Sequence, residues 1–304
     1  MVTDILGQRI GMPICISPTA LHNLAHPEAE IATCKAAAEM NTILIMSAAS
    51  SKSIEDIAAL RQTSIKWQLV YTWRDRGVTK DMIRRAEKAG FKAIVLSVDL
   101  PVLGVKRRLL KDGRQTILRT LQQSRNLYKY IGKDLQIGEG FPAELMTSSA
   151  GSTWEDITWI KTMTTLPVIL KGIVTVEDAV LAAEHNVQGI IVSNHGGRQL
   201  DGVPATIDVL SDIVDAVGDK LEVYVDGGIR TGTDVLKALA LGARAVFIGR
   251  PVLYGLACDG EEGVKSVLQI LRDELRRAMA LTGCSRISDI SRDLLSQRDR
   301  WSKL

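Results

Sequence analysis

Eight short apolar runs alternate with longer amphipathic segments along this chain of 304 residues, and that alternation constrains the fold more than any other feature. Each run has the length and composition of a buried strand. The predicted strands are Pro13–Ser17, Thr42–Ser47, Ile65–Val70, Ala93–Val98, Val168–Lys171, Gly189–Ser193, Leu221–Asp226 and Ala245–Gly249. Because a helix-length segment separates successive strands, the pattern predicts a parallel sheet.

The segments between the strands carry apolar residues at helical spacing, with polar residues on the opposite side. The predicted helices are Glu28–Met40, Ser53–Arg61, Lys80–Ala89, Val176–Glu184, Ile207–Val217 and Thr233–Leu241, and a further one begins near Trp154. Eight strand and helix units in about 300 residues favour an α/β fold of the closed (β/α)8 type, the TIM barrel. An open doubly wound sheet usually carries a glycine-rich turn after its first strand, and Ser17-Pro18-Thr19-Ala20 has no glycine. We therefore predict a single barrel domain, residues 1–304.

Composition excludes several classes of protein. Hydrophobic residues make up 46% of the chain, which is enough to bury a large core, but no apolar run approaches the ~20 residues that span a bilayer. The net charge is +3 and the basic residues are scattered, which argues against nucleic-acid binding. Cys15, Cys34, Cys258 and Cys284 are widely spaced, which favours a reducing compartment and argues against a metal site.

One interval breaks the regular spacing of strands and helices. Residues 102–152, after the fourth predicted strand, form an excursion of about 50 residues where an ordinary connection has about two to six. Because it follows the carboxyl end of a strand, we interpret this long loop as a candidate lid over a site.

Active sites of this fold lie at the carboxyl ends of the strands, and polar residues gather there in this sequence. The residues at these ends, most of them polar, are Ser17, Pro18 and Thr19, Ser47, Gln68, Ser97 and Asp99, Lys171, Ser193, Asp226, and Gly249 with Arg250.

The sixth predicted strand leads into the segment GIIVSNHGGRQLDG, residues 189–202. It carries His195 and Arg198 about one turn apart, which combines a base with a fork that binds carboxylates. The pair suits a substrate that is both an acid and a proton donor. A histidine after a strand is also often a structural hydrogen-bonding residue, so both interpretations stay open on this segment alone.

Two turns combine glycine with arginine at the ends of the seventh and eighth strands. They hold Gly227, Gly228 and Arg230 in the first turn and Gly249 and Arg250 in the second. Strands seven and eight are where this fold commonly binds phosphate, and we expect unpaired N–H groups at a helix that begins nearby. The turns therefore predict a phosphate site, although tight turns with surface arginines would give the same pattern.

Several long segments resemble the FMN-dependent 2-hydroxy acid oxidases, the group of glycolate oxidase and its longer-chain relatives. The segments are SPTALHNLAHPEAE, FKAIVLSVDLP, LPVILKGI, GIIVSNHGGRQLDG, VYVDGGIRTGTDVLKALALGA and FIGRPVLYGLA. The resemblance runs nearly from end to end of the chain. It implies a (β/α)8 barrel with FMN bound in its mouth. It also implies an enzyme that oxidises a 2-hydroxy acid to a 2-oxo acid and reduces O2 to hydrogen peroxide.

The resemblance also implies a set of cofactor-binding residues. Those along or hydrogen-bonded to the flavin would be Pro18, Thr19, Ala20, Ser47, Gln68, Ser97 and Ser193. Lys171 would face the N1–O2 edge of the ring, where a positive charge stabilises the reduced flavin. The ribityl chain and phosphate would be held by Asp226, Gly227, Gly228, Ile229, Arg230, Gly249 and Arg250.

For the chemistry, the resemblance makes His195 the group that takes a proton from the substrate. Arg198 would pair with the substrate carboxylate, and Asp99 would be the acidic partner of His195. The histidine removes either the α-proton or the hydroxyl proton, and the sequence leaves both routes open.

Three features depart from the family pattern. The family's N-terminal helical segment, with a tyrosine that contacts substrate, is missing from this sequence. The Gln-Leu-Tyr of the family reads here with one residue more between Gln68 and Tyr71, and a substrate-binding role for Tyr71 depends on where that residue is accommodated. The second carboxylate-binding arginine is either replaced by Lys106 or shifted to Arg107, and we favour Arg107 because a guanidinium pairs better with a carboxylate.

The last three residues, Ser302, Lys303 and Leu304, match the peroxisomal address SKL. They predict a peroxisomal location, reached through the import receptor, which suits chemistry that produces peroxide. We also expect a homo-oligomer. Two alternatives stay open: a dehydrogenase of the same family that uses another electron acceptor, and a chain that binds FMN with impaired catalysis because the N-terminal segment is missing.

Overall fold

A closed barrel of eight parallel strands forms the centre of the molecule, as the strand and helix alternation predicts. The structure is a computed structural model, and it describes residues 1–60, 64–102, 104, 124–127, 130 and 152–296. A short hairpin, β1 (Thr3–Ile5) and β2 (Gln8–Ile10), precedes the barrel. The barrel strands are β3 (Ile14–Ile16), β4 (Ile43–Met46), β5 (Ile65–Val70), β6 (Ala93–Ser97), β7 (Val168–Ile173), β8 (Gly189–Val192), β9 (Glu222–Asp226) and β10 (Ala245–Ile248). Strands β3 to β10 pair in sequence order, and β10 closes the barrel against β3.

Helices surround the barrel and bury one face against it. They are α1 (Glu30–Glu39), α2 (Ile54–Ala58), α3 (Arg76–Lys88), α4 (Trp154–Lys161), α5 (Val176–Glu184), α6 (Thr206–Val217), α7 (Gly232–Ala240) and α8 (Arg250–Leu281). The predicted barrel is confirmed, and no end of a predicted strand differs from the observed end by more than two residues.

The largest differences from the predicted helices are at α3 and α8. Helix α3 begins at Arg76 rather than Lys80, because the Asp75 side chain accepts a hydrogen bond from the N–H of Gly77 and caps the helix early. Helix α8 was not predicted. It bends at Asp259 and Gly260, where the backbone leaves helical φ and ψ.

Successive residues of each strand point alternately into the barrel and towards the helices. The interior cluster contains Trp67, Leu69, Tyr224 and Phe247, whose large side chains fill the barrel. Ile5 and Ile10 of the hairpin pack into the same cluster and cover the N-terminal end of the barrel. The site must therefore lie at the other end, where the strands release their carboxyl ends.

The long excursion between β6 and β7 lies mostly outside the described residues. Its described part includes Asn126, which is fully buried. The Asn126 amide accepts a hydrogen bond from the N–H of Ile54 at 3.0 Å and donates one to the Ser50 hydroxyl at 2.7 Å. This asparagine ties one point of the excursion to the start of α2. The role of a lid stays a prediction.

No helix in the described part of the chain is long and apolar enough to cross a membrane.

The backbone is strained at Ala29, immediately before α1. Ala29 has φ 53° and ψ −131°, a conformation that glycine adopts freely and that costs other residues about 1–3 kcal/mol. Ala29 is also fully buried, so its neighbours hold it in place.

We predict that Ala29→Gly raises the free energy of unfolding by about 1 kcal/mol, because released strain exceeds the added entropy of the unfolded chain. Urea unfolding of parent and variant measures the change. Ala36→Gly, inside the regular helix α1 and equally buried, is the matched control and should destabilise by about 1 kcal/mol. Destabilisation of both variants alike would contradict the assignment of strain to Ala29.

Candidate active site

Strand β8 delivers His195 to the mouth of the barrel through a turn of unusual backbone conformation. His195, Gly196 and Gly197 all have positive φ, at 57°, 66° and 71°. Asn194 stabilises this turn by accepting the N–H of Gly197 on its side-chain oxygen at 3.1 Å. A histidine rarely adopts this conformation, so its backbone is fixed by the turn rather than by its own preference.

The His195 ring meets the carboxylate of Asp99, which follows β6. The Nδ1 atom lies 3.0 Å from each carboxylate oxygen. The Ser97 hydroxyl donates to the same carboxylate at 2.7 Å. With Nδ1–H donating to Asp99, the Nε2 atom of His195 keeps a lone pair that can accept a proton. The predicted partnership of the two residues is present in the geometry.

Asp99 stays ionised although it is largely buried. Burial alone would raise its pKa, but the hydrogen bond from His195 and the charge of Lys171 hold the pKa below its ordinary value. The stabilisation from this ionised carboxylate is therefore present above the ordinary carboxyl pKa and is lost only as pH falls through the lowered pKa.

Tyr71 belongs to the same cluster, so the extra residue before it does not turn it away. Strand β5 points Trp67 and Leu69 inward, and Tyr71 continues that face and packs on the interior cluster. Burial and the nearby charge of Asp99 raise the pKa of Tyr71, while a hydrogen bond with Ser97 and the charge of Arg198 act in the opposite direction. The mouth therefore brings together a phenol, a guanidinium and the Asp99–His195 pair.

Gln68 is placed differently from the expectation for a flavin ligand. It pairs in register with Met46, which packs among the helices, and it lies on the outer face of β5. Its amide donates to the carbonyl oxygens of Leu69 at 2.8 Å and Met46 at 3.3 Å. Leu69 takes the inward position next to it. The period of two along a strand is the physical reason for this placement. The Oε1 atom of Gln68 is buried without a hydrogen-bond partner, and its role at the flavin stays a prediction.

A buried ion pair lies beside the Asp99–His195 hydrogen bond. The Lys171 Nζ atom is 3.1 Å from the Oδ2 atom of Asp226 and donates to the Ser193 hydroxyl at 2.7 Å. The Ser17 hydroxyl also donates to Oδ2 of Asp226, at 3.1 Å. Four strand ends, β3, β7, β8 and β9, are thus joined in one network.

The residues present fit FMN. The Oδ1 atom of Asp226 is buried with no hydrogen-bond partner, and an unpaired buried carboxylate oxygen requires a donor such as a ribityl hydroxyl. Arg230 and Arg250 are exposed, and neither pairs with a carboxylate among the described residues. Two guanidinium groups that have no carboxylate partner among the described residues, close to the same mouth, suit a phosphate.

One part of the expected phosphate site is wrong. The N–H groups at the start of α7 are not free, because Asp234 accepts those of Arg230 and Thr231 at 3.0 and 2.9 Å. Glu274 accepts the N–H of Gly232 at 2.7 Å. Carboxylates of the chain itself already cap this helix, so a phosphate site would depend on the arginines and the glycine turns.

The remaining predicted residues lie on the turns around the mouth. Pro18 and Thr19 are half-buried and Ala20 is exposed after β3, and Ser47 is buried after β4. In the turns after β9 and β10, Gly227 and Gly249 are half-buried, Gly228 is exposed and Ile229 is buried. Arg198 is exposed at the same rim. Lys106, Arg107, Ser302, Lys303 and Leu304 lie outside the described residues.

Sequence reasoning missed a buried carboxylate that fixes two of these turns. Glu30 accepts the N–H groups of His22, Ser51 and Lys52 at 3.2, 2.8 and 3.1 Å. The His22 ring contacts the hydroxyl of Thr19 on one side, and burial lowers the pKa of this histidine. The sequence signal was only an acidic residue in the first turn of helix α1.

Comparison with known proteins identifies the family. The sequence profile described as FMN-dependent dehydrogenase matches residues 1–297. The chain belongs to this family. FMN is its cofactor, so the predicted class of FMN-dependent enzyme is confirmed.

Among curated relatives, 2-hydroxyacid oxidase 2 of Mus musculus is 50% identical over 293 residues, covering 96% of this chain and 81% of that protein. Peroxisomal (S)-2-hydroxyacid oxidase GLO4 of Arabidopsis thaliana is 48% identical, with 96% of this chain and 80% of the relative covered.

Solved structures of mandelate oxidase resemble this fold. The complex with (S)-2-phenylpropionate has a TM-score of 0.82 at 41% identity, covering 96% of this chain and 80% of that one. A mandelate oxidase variant with an FMN adduct has a TM-score of 0.81 at 40% identity, covering 94% and 80%.

We predict that Arg230→Ala and Arg250→Ala each weaken FMN retention at least tenfold, because each removes one charged fork from the phosphate. Equilibrium dialysis with fluorescence of released flavin measures the affinity. Arg292→Ala removes a surface arginine that pairs with Asp215, and it should leave the affinity unchanged. Parent-like affinity in both test variants would refute this placement of the phosphate.

Proposed function

We propose that this chain oxidises (S)-2-hydroxy acids to 2-oxo acids and passes the electrons to O2, and that it does so in peroxisomes. The observation that carries the proposal is the Asp99–His195 pair, with Nδ1 of the histidine 3.0 Å from both carboxylate oxygens, next to Tyr71 and Arg198. Base, phenol and guanidinium correspond to the three groups of the substrate: a hydrogen to be removed, a hydroxyl and a carboxylate.

Each residue has a separate task in the reaction. The exposed Arg198 pairs its planar fork with the substrate carboxylate and so sets the orientation of the acid. His195 accepts the proton on Nε2, while Asp99 fixes the ring through Nδ1 and balances the charge that the proton brings. FMN held in this site would supply the redox chemistry, as an acceptor of the two substrate electrons and a donor of them to O2, which would give hydrogen peroxide.

Lys171 and Asp226 hold the charge balance on the cofactor side of the mouth. Lys171 is 4% exposed, so water screens its charge poorly and its electrostatic interactions within the site are strong. Asp226 neutralises part of that charge through the 3.1 Å contact. The pair keeps a cation at the strand end without leaving it isolated.

A dehydrogenase with another electron acceptor is the second candidate. The names of the most similar relatives, hydroxyacid oxidases at 45–50% identity, favour the oxidase. A third candidate, FMN binding without catalysis, is disfavoured because the described site contains the base, its acidic partner, Tyr71 and Arg198 in one cluster.

We predict that His195→Ala lowers the limiting rate of flavin reduction by ~10²–10⁴-fold while FMN stays bound, because the base acts in the transition state. Arg198→Lys should mainly raise the substrate concentration for half-saturation, because the fork binds ground state and transition state alike. Stopped-flow reduction without oxygen, at several concentrations of 2-hydroxy acid, separates the two effects.

His185→Ala is the control for the histidine, since His185 stacks on Trp154 with ring centroids 5.2 Å apart, at the end of α5, and makes no contact with the cluster. It should react like the parent. A His195→Ala protein that reduces its flavin at nearly the parent rate would make the histidine structural and overturn the proposal. Stoichiometric peroxide under air identifies the oxidase; turnover only with an artificial acceptor identifies the dehydrogenase.

For the location, we predict that a fluorescent reporter ending in residues 295–304 enters peroxisomes, because the import receptor reads the SKL tripeptide. Peroxisomal names among the plant relatives support the same compartment. Imaging against a peroxisomal marker measures the distribution, and the matched control lacks only Leu304. The same diffuse distribution for both reporters would reject the address.

A further inference from the structure

Gln199 lies in the segment that carries His195 and Arg198, and its side chain crosses to the loop after β6. Its Nε2 atom donates to the carbonyl oxygen of Asp99 at 2.7 Å and to that of Val102 at 3.1 Å. Its Oε1 atom accepts the N–H of Gly104 at 3.1 Å. Both donors and one acceptor of a single amide are thus used on the backbone of residues 99–104.

We propose that Gln199 is a positioning residue that sets Asp99 against His195. The inference rests on the proposed function, because it assigns Gln199 a role through the base of that reaction. Gln199 and His195 share one loop, and Asp99 lies on the other. The amide bonds therefore fix the spacing between the two loops at the point where the carboxylate meets the ring.

Gly104 shows how closely the two loops approach. A Cβ atom at this position would lie 2.4 Å from the carbonyl oxygen of Arg198 and 2.8 Å from the Cα atom of Gln199. Only a residue without a side chain fits against the backbone of the segment that carries the catalytic groups. The contact between the loops is backbone to backbone, and the Gln199 amide completes it.

A second glycine lies against Asp99. Gly172 has φ 115° in the irregular part of β7, and a Cβ atom there would lie 2.5 Å from the Cβ atom of Asp99. Asp99 is therefore packed against β7 while its carbonyl oxygen is held by Gln199. Loss of the Gln199 amide would remove the side-chain hydrogen bond that holds this carbonyl oxygen.

The test is a double-mutant cycle on the limiting rate of flavin reduction, built from Gln199→Leu and Asp99→Asn. Leucine keeps a branched side chain at position 199 but removes all three hydrogen bonds of the amide. Gln199→Leu alone should lower the rate by about tenfold to 10²-fold, as expected for a misplaced catalytic group. In the Asp99→Asn background it should lower the rate by less than about twofold, because residues that act through one another are not additive.

The matched control is Gln188→Leu. Gln188 also bridges backbone groups, accepting the N–H of Val168 at 2.8 Å and donating to the carbonyl oxygen of Asn186 at 3.1 Å, but it precedes β8 at the far end of the barrel. The Gln188→Leu variant shows how the loss of a bridging amide affects stability when the amide lies away from the site. Its rate should equal that of the parent.

Hydrogen exchange of the 99–104 peptide gives a readout that needs no turnover. Gln199→Leu should speed exchange there at least tenfold, while Gln188→Leu leaves it unchanged. Additive losses in the cycle, or unchanged exchange in residues 99–104, would overturn the proposal. If the parent oxidises no 2-hydroxy acid, the proposed function fails, and the exchange experiment alone still decides whether Gln199 holds the Asp99 loop.

Discussion

The hydrogen bond between the Asp99 carboxylate and Nδ1 of His195 is the interaction on which the rest of the site depends. The two residues follow β6 and β8, which are not neighbours, so β7 must leave room between them. Gly172 provides that room because it has no side chain at the point of contact. Because the barrel is closed, both loops lie at the same mouth. There the Asp99 carboxylate orients the His195 ring and stays ionised although it is largely buried.

The cofactor side depends on a second buried charge, on Lys171. Charges out of water are costly unless they are paired and hydrogen-bonded, and Asp226, Ser193 and Ser17 supply those partners from three other strands. One carboxylate oxygen of Asp226 remains without a partner in the protein. The site is therefore built to accept a donor, which suits the cofactor of the family to which the chain belongs.

Much of this could be read from the sequence because the relevant signals are local. Strand-length apolar runs identified the barrel, and their ends pointed to Asp99, Lys171 and His195. The inward face of β5 could not be read in the same way. One additional residue in a strand turns every following side chain to the opposite face. Only the observed register showed that Leu69, rather than Gln68, faces the interior.

Contacts between distant segments were the other limit. Gln199 bonds to residues about 100 positions away, and Glu30 joins turns after β3 and β4, so neither role has a sequence period. The capped start of α7 had a local signal, since Thr231 and Asp234 have the spacing of a capping box. Capping carboxylates and a bound anion compete for the same N–H groups. Here the carboxylates of Asp234 and Glu274 accept them.

The most direct test of this account is the tautomer of His195, because the proposed base requires a proton on Nδ1 and a free lone pair on Nε2. Nitrogen-15 NMR of the ring-labelled oxidised enzyme, with the His195 signals identified by their loss in His195→Gln, reports both nitrogens. The account predicts that the neutral ring carries its proton on Nδ1 and has an unprotonated Nε2. A neutral ring with its proton on Nε2 would contradict it, since such a ring has no acceptor to offer the substrate.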